Sequence, residues 1–358
     1  MFTKIAVLGL GKVGRLAAEL LSDAGFDVVG VDGRPIADAS FPVQTLELGD
    51  ARAMSGALVG REAVLSCLPY AFNKEVASAA HALGLHYFDL TEDVGTTKHI
   101  RALARTAKGI MAPQCGLAPG FIGIVGAHLA ARFERVRSIR LRVGALPQHP
   151  TGLLGYAFNW SPEGVVNEYL NDCEVIEEGV LKTVSAMEWL ETVYVGGVRL
   201  EAFTTSGGLG TMCETFAGKI ENLDYKSLRY PGHASLMNFF FHELLMREDR
   251  AAAGNILTHA KPPVDDDVVY VHAAAEGWAE GRLGRREFVR AYYPIEIKGK
   301  SRTAIAWTTA ASVVAVIEMA RSDALAPAGF LKQETIPLER FLETRTGRLY
   351  AEHGRRGR

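Results

Sequence analysis

The chain has 358 residues, 48% of them apolar and 22% charged, which is the balance of a soluble globular protein with room for two domains. Lys and Arg number 39 against 41 Asp and Glu, a formal net charge of -2. That excludes a collagen-like or disordered chain and argues against nucleic acid as the main partner, since proteins that neutralise many phosphates are basic. The longest apolar run, 304–315, holds Trp307-Thr308-Thr309 and is shorter than the roughly 20 residues a bilayer needs. Residues 1–14 show Lys4, a short apolar run and then glycines around Lys12, not the apolar stretch and cleavage site of a signal peptide. Cysteines 67, 115, 173 and 213 have no CxxC spacing, so reduced thiols and a cytoplasmic location are expected, with no membrane partner.

In chain order, residues 4–10 form an apolar run ending in Gly9, Gly11 and Gly14, after which Leu16, Ala17, Leu20 and Leu21 recur at helical spacing. This is strand, tight turn, helix. Strands follow at 27–32, 43–48, 63–68, 86–90 and 110–113, with helical patterns between most of them, notably 72–83 and 96–107. Strands alternating with helices predict a doubly wound parallel α/β sheet. After Pro119-Gly120 the rhythm changes. Residues 138–143 alternate strictly, with Ile139, Leu141 and Val143 on one face and Arg140 and Arg142 on a face expected to be wet. Residues 174–206, 219–230, 268–275 and 288–297 read as further strands and 234–246 as a helix. Helical spacing returns at 304–321, and the basic tail 353–358 is expected to be solvated. The expected division is a Rossmann domain of residues 1–118 with 304–325, a central α+β domain with a mixed sheet over 119–303, and a C-terminal segment, 326–358.

Gly9-Leu10-Gly11-Lys12-Val13-Gly14 is GxGxxG in the context that gives the motif meaning: it follows a strand, opens a helix, and has Asp32 at the end of the next strand. Gly9 permits the turn, Gly11 lets backbone approach a pyrophosphate, and Gly14 lets helix and strand pack closely. Asp32 suits the ribose hydroxyls of NAD and repels a 2′-phosphate, whereas Arg34 would attract one; NAD is expected over NADP. The reacting centre should lie beyond the carboxyl ends of the strands. Three segments end there: Ser66-Cys67-Leu68-Pro69-Tyr70, Asp89-Leu90-Thr91-Glu92-Asp93, and Gln114-Cys115-Gly116-Leu117-Ala118-Pro119-Gly120. Cys67, Leu68, Pro69 and Asp89 join the expected cofactor-binding set, Asp89 chiefly by holding its loop through hydrogen bonds.

CLPY, YFDLTED and CGLAPG in this order resemble the saccharopine dehydrogenase-like superfamily. Ser206-Gly-Gly-Leu-Gly210 and Leu228-Arg-Tyr-Pro-Gly-His233 are similar to its L-lysine 6-dehydrogenase branch. The resemblance spans nearly the whole chain. It implies a Rossmann domain completed by a late helix, a central domain for substrate binding and homo-oligomerisation, and NAD-linked oxidation of the lysine ε-amine to 2-aminoadipate 6-semialdehyde, which cyclises to a piperideine carboxylate. Saccharopine reductases tend to carry an acid in the GLxPG turn, where this chain has Ala118, and they are generally longer.

Oxidising a carbon that bears nitrogen requires a neutral amine, and a free lysine amine, with a pKa of about 10.4, arrives protonated. Glu92 is the first candidate for base or amine anchor, and Asp93 fits a helix N-cap. Arg229 is the candidate for the substrate α-carboxylate, because a guanidinium binds carboxylates through a planar fork. His233 is a candidate base or carboxylate ligand, or else a satisfied histidine opening a helix. Tyr70 is expected to close the pocket and Cys115 to line it, unless Cys115 is a small buried filler. Ser206 and its glycines offer backbone N–H groups or form a plain turn. The ten histidines show no HExxH and no Cys/His pairing, so no metal is expected. Two alternatives stand beside the lysine reading. One is a saccharopine- or carboxynorspermidine-type dehydrogenase acting on a secondary amine, which would need extra cations such as Arg140, Arg142 or Lys219. The other is a non-catalytic NAD(H)-binding redox sensor.

Overall fold

The computed structural model describes residues 2–47 and 51–356. The chain divides into two compact units, Met1–Ile124 with Ala306–Glu352, and Val125–Ile305 with His353–Arg358. The division falls at Ile124 where the sequence suggested 118. The segment expected to stand apart after 325 clusters with the first unit as far as Glu352.

The first unit is built on strands β1 (Lys4–Leu8), β2 (Asp27–Asp32), β3 (Val43–Thr45), β4 (Ala63–Ser66), β5 (His86–Asp89) and β6 (Ile110–Ala112). With the two-residue strand Gly329–Phe330 they form, among the described residues, one seven-stranded sheet. Its order is Gly329–Phe330, β6, β5, β4, β1, β2, β3, and every pairing is parallel. Ala6, Leu8, Val29, Val31, Val64, Tyr87 and Met111 supply sheet residues to a core that also holds Val76, Ala77, Ala80 and Ile100. Strands covered on both faces must be apolar throughout, which is why these runs were visible in the sequence. The expected strand at 43–48 is shorter, and its end at Leu48 lies outside the described residues. Helices α1 (Lys12–Asp23), α2 (Ala51–Leu58), α3 (Tyr70–Leu83) and α4 (Val94–Ala104) connect the strands. The strand order reverses between β1 and β4, so the carboxyl ends of these two strands flank the crevice where such sheets bind ligands.

The unit boundary falls inside helix α5 (Phe121–Ala130). Strands β7 (Arg135–Pro147), β8 (Cys173–Glu177), β9 (Val180–Val184), β10 (Glu191–Val195), β11 (Val198–Thr204), β12 (Asn222–Arg229), β13 (Asp267–Ala279) and β14 (Arg282–Tyr292) belong to the second unit. Among the described residues they form a mixed sheet ordered β10, β11, β12, β7, β13, β14 and the short strand Arg355–Arg356, with β8 on β12 and β9 on β8. Helices α6 (Pro162–Leu170), α7 (Met212–Phe216), α8 (His233–Asn238) and α9 (Arg250–Ala260) complete the unit. Val165, Tyr169, Met237, Phe241 and Leu257 share its core with Leu146, Leu200, Leu228 and Tyr270 of the sheet. The expected helix 234–246 is α8 alone, followed by a wider turn in which Leu244 N donates to Phe239 O. The face of β7 expected to be wet is only partly so. Arg140 is exposed, but Arg142 is buried and ion-paired with Glu191 and Asp224.

Helix α10 (Ala304–Arg321) is the late helix. It is 18 residues long and apolar enough to cross a membrane by length and composition, yet 83% of it is buried inside the structure. Both oxygens of the fully buried Asp267 accept from its first backbone amides, Ala304 N and Ile305 N. Further along, Thr308 O accepts from Tyr350 Oη at 2.6 Å, and Phe341, Tyr350 and Phe121 stack in the core of the first unit. The cysteines are all free thiols; Cys115, Cys173 and Cys213 are buried and Cys67 is half-buried.

Candidate active site

The turn after β1 is shaped by contacts that differ for each glycine. Gly9 has φ +85°, and its N–H donates to Val31 O at 2.8 Å. A Cβ there would stand 2.9 Å from Cys67 O. A Cβ on Gly14 would stand 1.9 Å from Gly9 O, so that glycine is required for the helix to approach the turn. At Gly11 no atom lies within 4 Å of the Cβ position and φ is -66°, so nothing in the fold demands a glycine there. Space beside backbone at the first turn of α1, with no side-chain cap and no acid in that turn, is what a pyrophosphate needs. Lys12 is exposed and Val13 half-buried at the start of that helix.

Asp32 closes the end of β2. Its Oδ2 accepts from Leu10 N at 2.7 Å and its Oδ1 from Arg34 N at 3.0 Å, so the carboxylate braces the glycine turn. The Arg34 side chain is 85% exposed with Nε 3.9 Å from Asp32 Oδ1, a loose pairing that leaves it able to swing. Across the switch point, Cys67 N donates to Leu8 O at 2.8 Å, which fixes the Cys67–Leu68–Pro69 loop beside the turn. Burial, with the Asp89 carboxylate adding to it, pushes the Cys67 thiol up to about 12. Leu68 is buried, Pro69 is exposed, and Tyr70 is half-buried as the first residue of α3.

Asp89 has no exposed surface. It accepts from Tyr87 Oη at 2.7 Å, Thr91 N at 3.0 Å and Gln114 N at 3.0 Å. Burial raises its pKa to about 6 in spite of those bonds. Asp89 thus holds its loop through hydrogen bonds, as expected, and ties the loop after β5 to the loop after β6. Asp93 caps α4, accepting from Thr96 N at 2.6 Å, and Glu92 stands half-buried one residue before it. Cys115 is fully buried, with Sγ 3.2 Å from Ala112 O and 3.2 Å from Gln333 Nε2, so it fills the core of the first unit and does not line a pocket.

In the second unit a polar cluster sits among aromatic rings. Arg229 is 3% exposed; its Nε donates to Tyr169 Oη at 2.6 Å, one Nη donates to Leu228 O at 2.9 Å, and the guanidinium lies 4.7 Å from the Tyr156 ring centre. His233 Nδ1 is 3.0 Å from Leu154 O and its Nε2 is 3.0 Å from Tyr169 Oη. A carbonyl only accepts, so Nδ1 carries the hydrogen and Nε2 accepts from the tyrosine. Burial and the neighbouring Arg229 push the imidazole pKa down to about 3. His233 thus has neither a lone pair nor an exchangeable proton to offer a substrate at neutral pH, and the reading of it as a base is corrected to a structural one. Above it Glu201 caps α8, accepting from Gly232 N at 2.8 Å and Ala234 N at 2.6 Å. Ser206 Oγ donates to Asp172 O at 2.9 Å, and its own N–H goes to Glu168 O at 3.0 Å. Gly208 is small because the Tyr225 ring would stand 2.2 Å from a Cβ, so the turn 206–210 packs closely against β12.

Sequence reasoning singled out neither Tyr156 nor Tyr169. A signal existed for the second: Tyr169 follows Val165 by one helical turn on the buried face of α6, where a hydroxyl must find a polar partner. No group of three or more Cys, His, Asp or Glu side chains able to hold a metal occurs among the described residues.

The family model of the saccharopine dehydrogenase NADP binding domain matches residues 5–112, and that of the saccharopine dehydrogenase C-terminal domain matches residues 116–352. The chain belongs to the saccharopine dehydrogenase family. Two curated relatives are similar to it, both named saccharopine dehydrogenase (NADP(+), L-glutamate-forming). That of Pyricularia oryzae is 24% identical over 208 residues, 54% of this chain and 46% of the relative. That of Schizosaccharomyces pombe is 23% identical over 202 residues, 52% of this chain and 45% of the relative. The chain thus spans about half the length of the curated relatives it matches. Among solved structures, the apo saccharopine dehydrogenase (L-Glu forming) of Saccharomyces cerevisiae shares the fold, with a TM-score of 0.76, 16% identity and 98% of each chain covered. Within the saccharopine dehydrogenase family the loops after β1, β4 and β5 of this chain lie in the matched nucleotide-binding domain, and the Arg229 cluster lies in the matched C-terminal domain.

Proposed function

We propose that this protein is a pyridine-nucleotide-dependent oxidoreductase acting on the carbon that bears an amino nitrogen in an amino acid. L-lysine, oxidised at its ε-carbon, is the first substrate, and NAD is preferred to NADP. The observation that carries the reading is the glycine turn: the space at Gly11 has no role in the fold and fits a dinucleotide phosphate. A dinucleotide held there by its pyrophosphate would supply the hydride acceptor, its nicotinamide. The protein's own groups do the rest. In the second unit, Arg229 is a permanent buried cation of the kind that holds a carboxylate. Glu92, the half-buried carboxylate of the loop after β5, takes the proton from the ε-ammonium so that a neutral amine reacts. The imine left behind takes up water and releases ammonia, and the resulting 2-aminoadipate 6-semialdehyde cyclises to piperideine-6-carboxylate.

The second reading, a secondary amine such as saccharopine, is favoured by the names of the curated relatives. Such a substrate carries further carboxylates and needs further cations. Arg142, one of the candidates, is already neutralised by Glu191 and Asp224, which weighs toward the smaller substrate. The preference for NAD rests on Asp32, whose buried carboxylate repels a 2′-phosphate, against the NADP named for the family's domain and its relatives.

The test is appearance of reduced nucleotide, by its absorbance, with lysine, ornithine, saccharopine and diamines, and mass analysis of the product. Turnover of lysine with an alkaline optimum is expected, since the amine titrates near pH 10. Turnover of saccharopine alone would establish the second reading, and tight nucleotide binding without any turnover would establish a redox sensor. Asp32→Ser should raise the KM for NAD and narrow the NAD to NADP ratio of kcat/KM; an unchanged ratio would show that Asp32 does not face the ribose.

A further inference from the structure

The loop from Gly33 to Pro42 joins β2 to β3 and starts at the carboxylate expected to read the ribose. Its start, middle and end are each fastened. At the start, Arg34 N donates to Asp32 Oδ1 at 3.0 Å. At the end, Gly30 N donates to Pro42 O at 2.9 Å, and the buried Phe41 ring packs on Gly30 of β2. In the middle, the Arg15 guanidinium reaches across from α1 and donates to Asp38 O at 2.7 Å. Asp38 has φ +55°, so this carbonyl sits at a left-handed bend of the chain. The guanidinium is held in turn by Glu19, one helical turn on, whose buried carboxylate lies 3.4 Å from Arg15 Nε. Residues 33–35, 37, 38 and 40 are exposed, so packing adds little to the middle of the loop and the Arg15 bond carries it.

Arg15 also stands one helical turn beyond Gly11, its backbone N–H donating to Gly11 O at 3.0 Å. One residue therefore joins the glycine turn, where a pyrophosphate fits, to the loop that bears Arg34. We propose that Arg15 is a positioning residue for nucleotide choice: by clamping the β2–β3 loop onto α1 it keeps the Arg34 amide on Asp32, and with it the Asp32 carboxylate aimed at a ribose 2′-hydroxyl. The inference rests on the dinucleotide reading of the glycine turn and of Asp32. When the clamp is released, the amide leaves Oδ1 and the carboxylate turns, which costs NAD its partner. NADP loses less, because its 2′-phosphate relies on the Arg34 side chain, which is 85% exposed and pairs only loosely with Asp32.

The experiment is calorimetric titration of the full chain with NAD and with NADP, joined to hydrogen exchange of the nucleotide-free protein read by mass over residues 33–41. The proteins are wild type, Arg15→Met and Asp38→Asn. Methionine keeps much of the Arg15 stem and removes its N–H groups. Arg15→Met should exchange severalfold faster over 33–41. It should bind NAD roughly fivefold more weakly, the size of one lost hydrogen bond, and NADP within about twofold of wild type, so the preference for NAD narrows. Asp38→Asn keeps the carbonyl and tolerates the left-handed bend, and should match wild type throughout. Equal weakening of both nucleotides, or an unchanged ratio, would make Arg15 a purely structural tie and overturn the inference. A larger loss for NADP than for NAD would make Arg15 a phosphate ligand and overturn it too, as would an Asp38→Asn loss equal to that of Arg15→Met. Unchanged exchange with normal nucleotide binding would remove the clamp and leave the dinucleotide reading standing. If wild type binds neither nucleotide, the dinucleotide reading falls and this inference with it.

Discussion

Gly11 and Gly14 lie within one turn of each other and answer to different demands. Gly14 is held by the fold, because a methyl group there would collide with Gly9 O. Gly11 is not, since its Cβ position is empty and its φ suits any residue. Gly14→Ala should therefore destabilise the protein by about 1–3 kcal/mol, the usual range for overpacking, and weaken nucleotide binding as a consequence. Gly11→Ala should leave the denaturant midpoint unchanged and weaken dinucleotide binding by itself. Equal stability losses in the two variants would remove the argument for a phosphate at Gly11. His233 carries a prediction about acid. Its folded pKa, near 3, lies below the ordinary 6.5, so the unfolded chain binds its proton first as pH falls. The stability it contributes is complete above about pH 6.5 and is lost as pH drops toward 3, at up to about 1.4 kcal/mol per pH unit. Urea unfolding at pH 7, 6 and 5 should show this slope, and His233→Gln should flatten it. At the residue scale the sequence disclosed the glycine turn between β1 and α1, because its glycine pattern is tied to a strand before it and a helix after it. It offered the roles found for Asp89, Cys115 and His233 only beside other readings. Those were decided by burial and by partners distant in sequence, such as Gln333 for Cys115.

Elements were legible where one face or both are apolar. The strands β1, β2, β4 and β5 and helix α10 stood out for this reason. The first half of β14 did not: residues 282–287 read RLGRRE and lie exposed, so no apolar alternation marks them, and the pairing to β13 comes from backbone bonds that composition does not record. Helices α6 and α9 were missed although each has a clear start. Ser161 caps α6, accepting from Gly164 N at 3.0 Å with Pro162 in the first turn, and Asp249 caps α9, accepting from Ala252 N at 2.9 Å. Helix α10 owes its start to Asp267, distant in sequence, whose two oxygens take its first two amides. Asp267→Ala leaves both amides unpaired in a buried place and should cost about 2 kcal/mol, at the upper end for a helix cap. Thermal unfolding measures it, and a change within experimental error would show that the amides find other partners.

At the scale of the molecule, the two-unit plan was visible in the change from α/β rhythm to alternating strands after residue 120. The allegiance of the last stretch was not. Residues 329–352 return to the first unit through one short strand on β6, the Gln333 bonds and the Phe341 and Tyr350 rings. None of these has a periodic signature, and each depends on what it meets.

The four free thiols offer a use that follows from where they sit. Cys115 is sealed in the first unit and Cys173 and Cys213 in the second, while Cys67, though half-buried, stays protonated at neutral pH. Thiolate, and not thiol, reacts with alkylating reagents, so the native chain should label slowly throughout. Mass mapping of the modified cysteines over time then becomes a pair of clocks, one for each unit, timing how often its interior opens. Saturating dinucleotide should slow the clock at Cys115 more than those at Cys173 and Cys213; equal slowing at all three would mean that the halves open together.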